Sequence, residues 1–339
     1  MINIALFGLG RIGVVHAQNI FLNNKCSLQY VFDIDQARAK KIAKKFNSIP
    51  IKNTRIAYTD KNVDVIFIAT PASTHIKYIV EAVKFKKIIF CEKPLDLNIN
   101  KINQCKKFIK KYNPKIQVGF NRRYDPGHYA LKKSVLSGEI GILEKIIITS
   151  RDPAPPSIAY LKVAGGIFKD MMIHDFDLIR FYLGNDEVKE IFATATNLSD
   201  PRFKKINDYE LAMCLIKSKK GVICMINNSR HCSYGYDQRI EVFGNKGMVV
   251  SGNRRDNASE KFLRSKTEIK RPLLNFFIDR YEEAYKLQLD DLIDLVQKRK
   301  NPRASFEEGR KAIIIASAAS KSLNSIKFVK IYFYQFFGC

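Results

Sequence analysis

The chain has 339 residues, enough for two domains of ordinary size, each with its own core, which excludes a small scaffold held together by disulfides. Its 46% hydrophobic and 27% charged content is that of a globular protein, and no apolar run approaches the roughly 18 residues of a membrane span, so no membrane partner is expected. A formal charge of +25 raises the question of nucleic acid, but the lysines and arginines are spread along the whole length with no dense tail or aromatic-interleaved stripe, so no nucleic-acid partner is expected either.

The first residues, "MINIALFGLG", read as a strand and a turn, so no cleavable signal is expected ahead of the fold and a cytoplasmic location is. The strand runs into Gly8-Leu9-Gly10-Arg11-Ile12-Gly13 and then a helical pattern through Ile20. In that setting GxGxxG predicts a dinucleotide site. The first glycine allows the tight turn, the second lets the pyrophosphate approach the backbone, and the third lets helix pack on strand. A second strand, "SLQYVF", ends at Asp33, whose carboxylate would accept hydrogen bonds from ribose hydroxyls and repel a 2′-phosphate. NAD is therefore expected rather than NADP, with Arg38 and the positive field acting the other way.

Two further apolar runs, "VDVIFIAT" and "KKIIFCEKP", flank a helical stretch from Ser73 to Phe85, so strand and helix alternate and a parallel sheet follows. Ligands sit beyond the carboxyl ends of such strands, which here carry Ala69-Thr70-Pro71 and Glu92-Lys93-Pro94. Gly8, Gly10, Arg11, Ile12, Gly13, Asp33, Thr70, Pro71, Glu92 and Lys93 are the expected cofactor residues, with Lys93 aimed at the cleft where a nicotinamide would lie. His75 is read as a helix-start residue near the cofactor rather than a catalyst. The chain is expected to leave this domain near Asn121, after "KIQVGF", giving a Rossmann domain over residues 1–120 and a second domain over 121–339.

The stretch "GGIFKDMMIHDFDLIRFYLG", residues 165–184, is apolar nearly all round. Such a helix is buried, and burying lone carboxylates is costly. Placed at 100° intervals, Asp170, His174, Asp177 and Phe181 share one face, so the polar stripe should line a polar cavity, with Asp170 one turn before His174 and able to hydrogen-bond to it. Asp175 falls on the apolar side and has no account beyond a cap or a pair with the other domain. No metal site is expected: His231-Cys232 alone makes no ligand cluster, and the seven cysteines are scattered singly, which predicts reduced, mostly buried thiols. Near the carboxyl end, "YEEAYKLQLDDLIDLVQ" and "FEEGRKAIIIASAASKSL" read as amphipathic helices.

With "VGFNRRYDP" (118–126), "SRDPAPP" (150–156), the stretch above and "YGYDQRIEVFGNKGM" (234–248), the chain resembles the glucose-fructose oxidoreductase/inositol dehydrogenase/rhizopine-catabolism family of oxidoreductases, and within it the inositol-oxidising members. The resemblance implies an α/β fold: an N-terminal Rossmann domain followed by an α+β domain with an open, mainly antiparallel sheet. It also implies a homotetramer made through that sheet, and a Lys93-Pro94 bond that is cis in many relatives. The activity implied is NAD-dependent oxidation of myo-inositol, or a closely related cyclic polyol, at one secondary hydroxyl. His174 would be the general base polarised by Asp170, and Lys93 would bind the reacting oxygen. A polyol needs several hydrogen bonds for its hydroxyls to be told apart, and Arg123, Asp152 and Tyr234 are the candidates beside Lys93, Asp170 and His174. The alternatives are a dehydrogenase of scyllo-inositol or a sugar derivative, and a non-catalytic NAD-sensing regulator. The end of the chain, "KFVKIYFYQFFGC", departs from the family pattern, as an extra strand, an oligomer contact or an altered end of the gene.

Overall fold

A computed structural model describes residues 1–298 and 300–333. Most of the last aromatic segment, from residue 334, lies outside the described residues. The chain divides into two compact units, Met1–Asn121 with Ala284–Ile313, and Arg122–Glu283 with the residues from Ile314 on. The return of 284–313 to the first unit was not part of the division expected from sequence.

The first unit alternates strand and helix from its start. Strands β1 (Ile2–Phe7), β2 (Cys26–Phe32), β3 (Ile49–Pro50), β4 (Val65–Ile68), β5 (Ile88–Cys91) and β6 (Ile116–Val118) alternate with helices α1 (Arg11–Leu22), α2 (Gln36–Lys45), α3 (Arg55–Thr59), α4 (Ala72–Lys84) and α5 (Ile99–Ile109). All strand pairs are parallel, in the order β3-β2-β1-β4-β5-β6. The order reverses between β1 and β4, the point at which doubly wound sheets bind dinucleotides. The uninterrupted burial of Val65–Ile68 reflects a strand covered on both faces.

The second unit opens with α6 (Pro126–Ser137), β7 (Leu143–Arg151), α7 (Ile158–Ala164), α8 (Gly166–Asp170) and α9 (Ile173–Leu183). It continues through β8 (Val188–Thr196), α10 (Arg202–Lys205), β9 (Leu211–Ser218), β10 (Ile223–Ser229), β11 (Asp237–Gly244), β12 (Gly247–Ser251), the hairpin of β13 (Glu260–Leu263) and β14 (Lys266–Lys270), and α11 (Phe277–Arg280). The two long helices expected near the carboxyl end are α12 (Glu282–Lys298) and α13 (Phe306–Ser325), followed by β15 (Val329–Lys330). The main sheet runs β12-β11-β7-β10-β9-β8-β15 and is antiparallel except for the pair β7 and β10.

One face of this sheet packs on α9, whose Phe176, Leu178, Ile179 and Tyr182 enter a core with Ile146, Ile148, Cys214, Ile216 and Ile226. The other face alternates outward, and Met213, Leu215, Ile223, Phe243, Met248 and Val250 are exposed on it. The six cysteines among the described residues are free and buried. No helix among the described residues is long and apolar enough to cross a membrane.

Candidate active site

In the first unit the glycine loop is shaped by its neighbours. Gly8 has φ +90°, and a side chain there would come within 2.5 Å of the Ala69 carbonyl oxygen; a side chain on Gly13 would collide with the carbonyl of Gly8. Gly10 faces open space. It precedes α1, whose first turn has no side-chain cap and no acidic residue, so its N–H groups are available to an anion. Arg11 and Ile12 open that helix. Asp33 follows β2 and is buried, its Oδ2 accepting from the Leu9 N–H at 2.8 Å and its Oδ1 from the Asp35 N–H at 2.9 Å. The loop, the open glycine and the adjacent carboxylate fit a dinucleotide whose ribose reaches Asp33.

The ends of β4 and β5 are tied together by His75, whose Nδ1 lies 2.8 Å from the Pro94 carbonyl oxygen and whose Nε2 lies 2.7 Å from that of Thr70. Thr70 and Thr74 share a hydrogen bond of 2.7 Å, and Pro71 precedes α4. Lys93 is partly exposed, and its bond to Pro94 is cis. Glu92 turns inward: its Oε1 is 2.7 Å from His16 Nε2 on α1, its Oε2 accepts from the Lys93 N–H at 3.1 Å, and a side chain on Gly119 would strike the same carboxyl. Its contribution to the cofactor loop is therefore to hold α1 against the end of β5.

The polar helix of the second unit differs from the single helix expected. It is broken at Met171–Met172, with the Met172 N–H reaching back five residues to the Ile167 carbonyl at 2.9 Å. An i to i−5 bond inserts one residue into the helical count and advances the phase by about 100°. Asp170 therefore ends α8 and does not share a straight stripe with His174, Asp177 and Phe181. Its Oδ1 accepts from the Tyr160 hydroxyl at 2.6 Å and its Oδ2 from Arg230 Nη1 at 3.2 Å. Along α9 every residue from Ile173 to Leu183 is buried except His174.

The charges flanking His174 are neutralised by consecutive arginines of the turn Asn121–Tyr124. Asp175, unexplained from sequence, is fully buried and bonded to Arg122 Nη1 at 2.7 Å, the Ser150 hydroxyl at 2.7 Å and Asn228 Nδ2 at 2.8 Å. Burial pushes its pKa up, against the pull of Arg122, Asn228 and Ser150. Asp177 receives a forked pair from Arg123, Nε at 2.7 Å and Nη2 at 2.6 Å. Phe181 packs beneath the same guanidinium at 5.1 Å. Asp177 is thus a structural counter-ion, and the fork fixes the plane of the Arg123 guanidinium.

Asp152 follows β7, its N–H bonded to the Ser229 carbonyl at 2.9 Å. Burial pushes its pKa up to about 7; Arg122 and Arg230 oppose the shift, and Asp170 and Asp175 add to it. A carboxyl raised in the fold ionises first in the unfolded chain, so stability is lost as pH rises from about 4 to about 7. The thermal midpoint of Asp152→Asn, relative to the parent, should therefore rise across that window and stay flat above it; a pH-independent difference would contradict the shift. The Tyr234 hydroxyl donates to Asp237 at 2.6 Å and accepts from Arg151 at 2.5 Å, and half of the residue is exposed. Among the described residues no group of three or more His, Cys, Asp or Glu could hold a metal.

Sequence reasoning missed Tyr160, Arg230 and Asp208. Arg230 is buried and bridges Asp170 to Asp208 Oδ2, at 3.3 Å on the second side. Their signal in the sequence is faint, since nothing in "NNSRH" distinguishes a buried arginine after a strand from a surface one.

An oxidoreductase family profile described as an NAD-binding Rossmann fold matches residues 2–120, and the GFO/IDH/MocA C-terminal domain matches residues 128–250. A myo-inositol 2-dehydrogenase of Thermotoga maritima is 37% identical over 97% of this chain and 98% of its own. The crystal structure of a myo-inositol dehydrogenase from Corynebacterium glutamicum superposes with a TM-score of 0.94 at 38% identity, covering 98% of this chain and 99% of the other. A scyllo-inositol dehydrogenase from Lactobacillus casei, solved with NAD(H) and scyllo-inositol, superposes with a TM-score of 0.87 at 26% identity, over 97% and 99%.

Proposed function

The chain belongs to the GFO/IDH/MocA oxidoreductase family, and from that premise we propose that it oxidises myo-inositol, or a closely related cyclic polyol, at one secondary hydroxyl to the ketone. The observation that carries the reading is His174, the one side chain of α9 that is not fully buried, just past the helix break at which a carboxylate, Asp170, is fixed by Tyr160 and Arg230. Bound NAD supplies the acceptor for the hydride that leaves the carbinol carbon. The chain's own residues manage the proton and the charge. His174 takes the hydroxyl proton, since a carbinol that kept it would give a protonated ketone. Asp170, at the end of α8, orients the imidazole. The Lys93 ammonium holds the reacting oxygen and offsets its developing negative charge. The amides of the Gly8–Gly13 loop and the first turn of α1 would hold the pyrophosphate, and Asp33 the ribose hydroxyls.

Arg123, Asp152 and Tyr234 are proposed to contact the other hydroxyls, the first and last while keeping Asp177 and Asp237 as partners. The reading includes a cytoplasmic location, which the free buried cysteines suit, and a homotetramer assembled on the exposed apolar face of the seven-stranded sheet, a mass that sedimentation reads directly. NADH formation with myo-inositol, scyllo-inositol and glucose in parallel, each with NAD and NADP, tests the activity. We expect the fastest turnover with myo-inositol and NAD. A preference for scyllo-inositol or a sugar would reassign the substrate, and no reduction with any polyol would overturn the enzymatic reading.

A further inference from the structure

Asp170 lies where the helix is interrupted, and each of its oxygens has a fixed donor. Tyr160 reaches Oδ1 from α7, a helix capped by the Ser157 hydroxyl, which accepts from the Tyr160 N–H. Burial first, then the Asp170 charge, push the Tyr160 hydroxyl pKa up, so it remains a donor throughout the neutral range. Arg230 reaches Oδ2 from the residue after β10 and is only 1% exposed. Its own N–H is held by the Glu210 carbonyl at 2.8 Å, and its Nη2 by Asp208. Asp208 closes the loop: its Oδ1 accepts from the Ile167 N–H at 2.8 Å, in the short helix that ends at Asp170.

This is more than a tie between α7, α8 and β10. Apolar side chains could join those elements without desolvating a guanidinium and two carboxylates. What a charged, two-sided grip adds is orientation, because a carboxyl bonded at both oxygens cannot turn about its last torsion. An orienting partner for an imidazole has to be held in that way.

We propose that Tyr160 and Arg230 are positioning residues of the reaction, holding the Asp170 carboxylate in the one orientation from which it steers His174. The inference rests on the acid-base roles proposed above. Tyr160→Phe removes one hydroxyl from a residue that is 46% exposed, so the fold tolerates it. Its kcat should fall about 10- to 100-fold, the range of a hydrogen bond to a charged group, with KM and the urea midpoint nearly unchanged. In an Asp170→Asn background the same change should cost little more, because the two residues act as one unit. Arg230→Lys, which keeps the charge and loses the fork, should behave alike; if it does not fold, Tyr160→Phe carries the test.

Of the five histidines, only His174 should move in the nitrogen-15 spectrum of cofactor-free Tyr160→Phe protein. Parental kcat in Tyr160→Phe, or a loss undiminished beside Asp170→Asn, would overturn the proposal while leaving the activity intact. A parent chain that reduces no NAD with any polyol removes the activity itself, and the positioning role with it.

Discussion

A His174→Ala variant is expected to lose about 10²- to 10⁴-fold in kcat with myo-inositol and NAD, the contribution of a placed general base. Lys93→Ala should lose about as much, since a cation at the developing alkoxide contributes on the order of 10²- to 10³-fold. Urea midpoints should stay near the parent value, since both residues are partly exposed and neither belongs to a core. Steady-state NADH formation separates the outcomes: near-parental rates in both single variants would remove these residues from the chemistry.

The second large effect concerns stability. Asp175→Ala leaves the Arg122 guanidinium buried without its carboxylate, and the Ser150 and Asn228 side chains without their shared acceptor. Breaking a buried pair from one side costs about 3–5 kcal/mol, a large part of the roughly 5–15 kcal/mol that holds a domain together. Urea unfolding should show the free energy of unfolding falling by that amount, with the midpoint lowered accordingly, or the variant failing to accumulate. A variant in which Arg122 and Asp175 are replaced together by apolar residues should recover much of the loss, because no uncompensated charge remains. The contrast with His174→Ala is diagnostic: adjacent residues on one helix, one expected to cost turnover and the other the fold.

Those two neighbours also mark where sequence reasoning reached and where it stopped. The place of the glycine loop between β1 and α1, that of Asp33 after β2, and the alternation of strand and helix were legible because each depends on local spacing: GxGxxG meets a strand and a helix within a dozen or so residues. The burial of α9 apart from His174 was legible for the same reason, from an apolar pattern that leaves no solvent face. The partner of Asp175 was not, because Arg122 lies 53 residues away and joins it only through tertiary folding. The phase of Asp170 failed for a subtler reason. A single i to i−5 bond at Met172 rotates everything before it, and residue preferences do not announce such a bond.

Arg230 illustrates the same limit at larger distance. It stands 60 residues from Asp170, and a lone arginine after a strand reads as surface charge until the second carboxylate, Asp208, is seen on its other side. The return of 284–313 to the first unit was hidden as well, because an amphipathic helix such as α12 declares an apolar face but not which core receives it.

Direct hydride transfer from the carbinol carbon to NAD can be followed with an isotope. The parent chain is incubated with NAD and myo-inositol carrying deuterium at the reacting carbon, and the NADH is examined by mass spectrometry. One deuterium in the NADH is expected for each ketone formed. Ketone formed with unlabelled NADH, or with deuterium released to water, would contradict it.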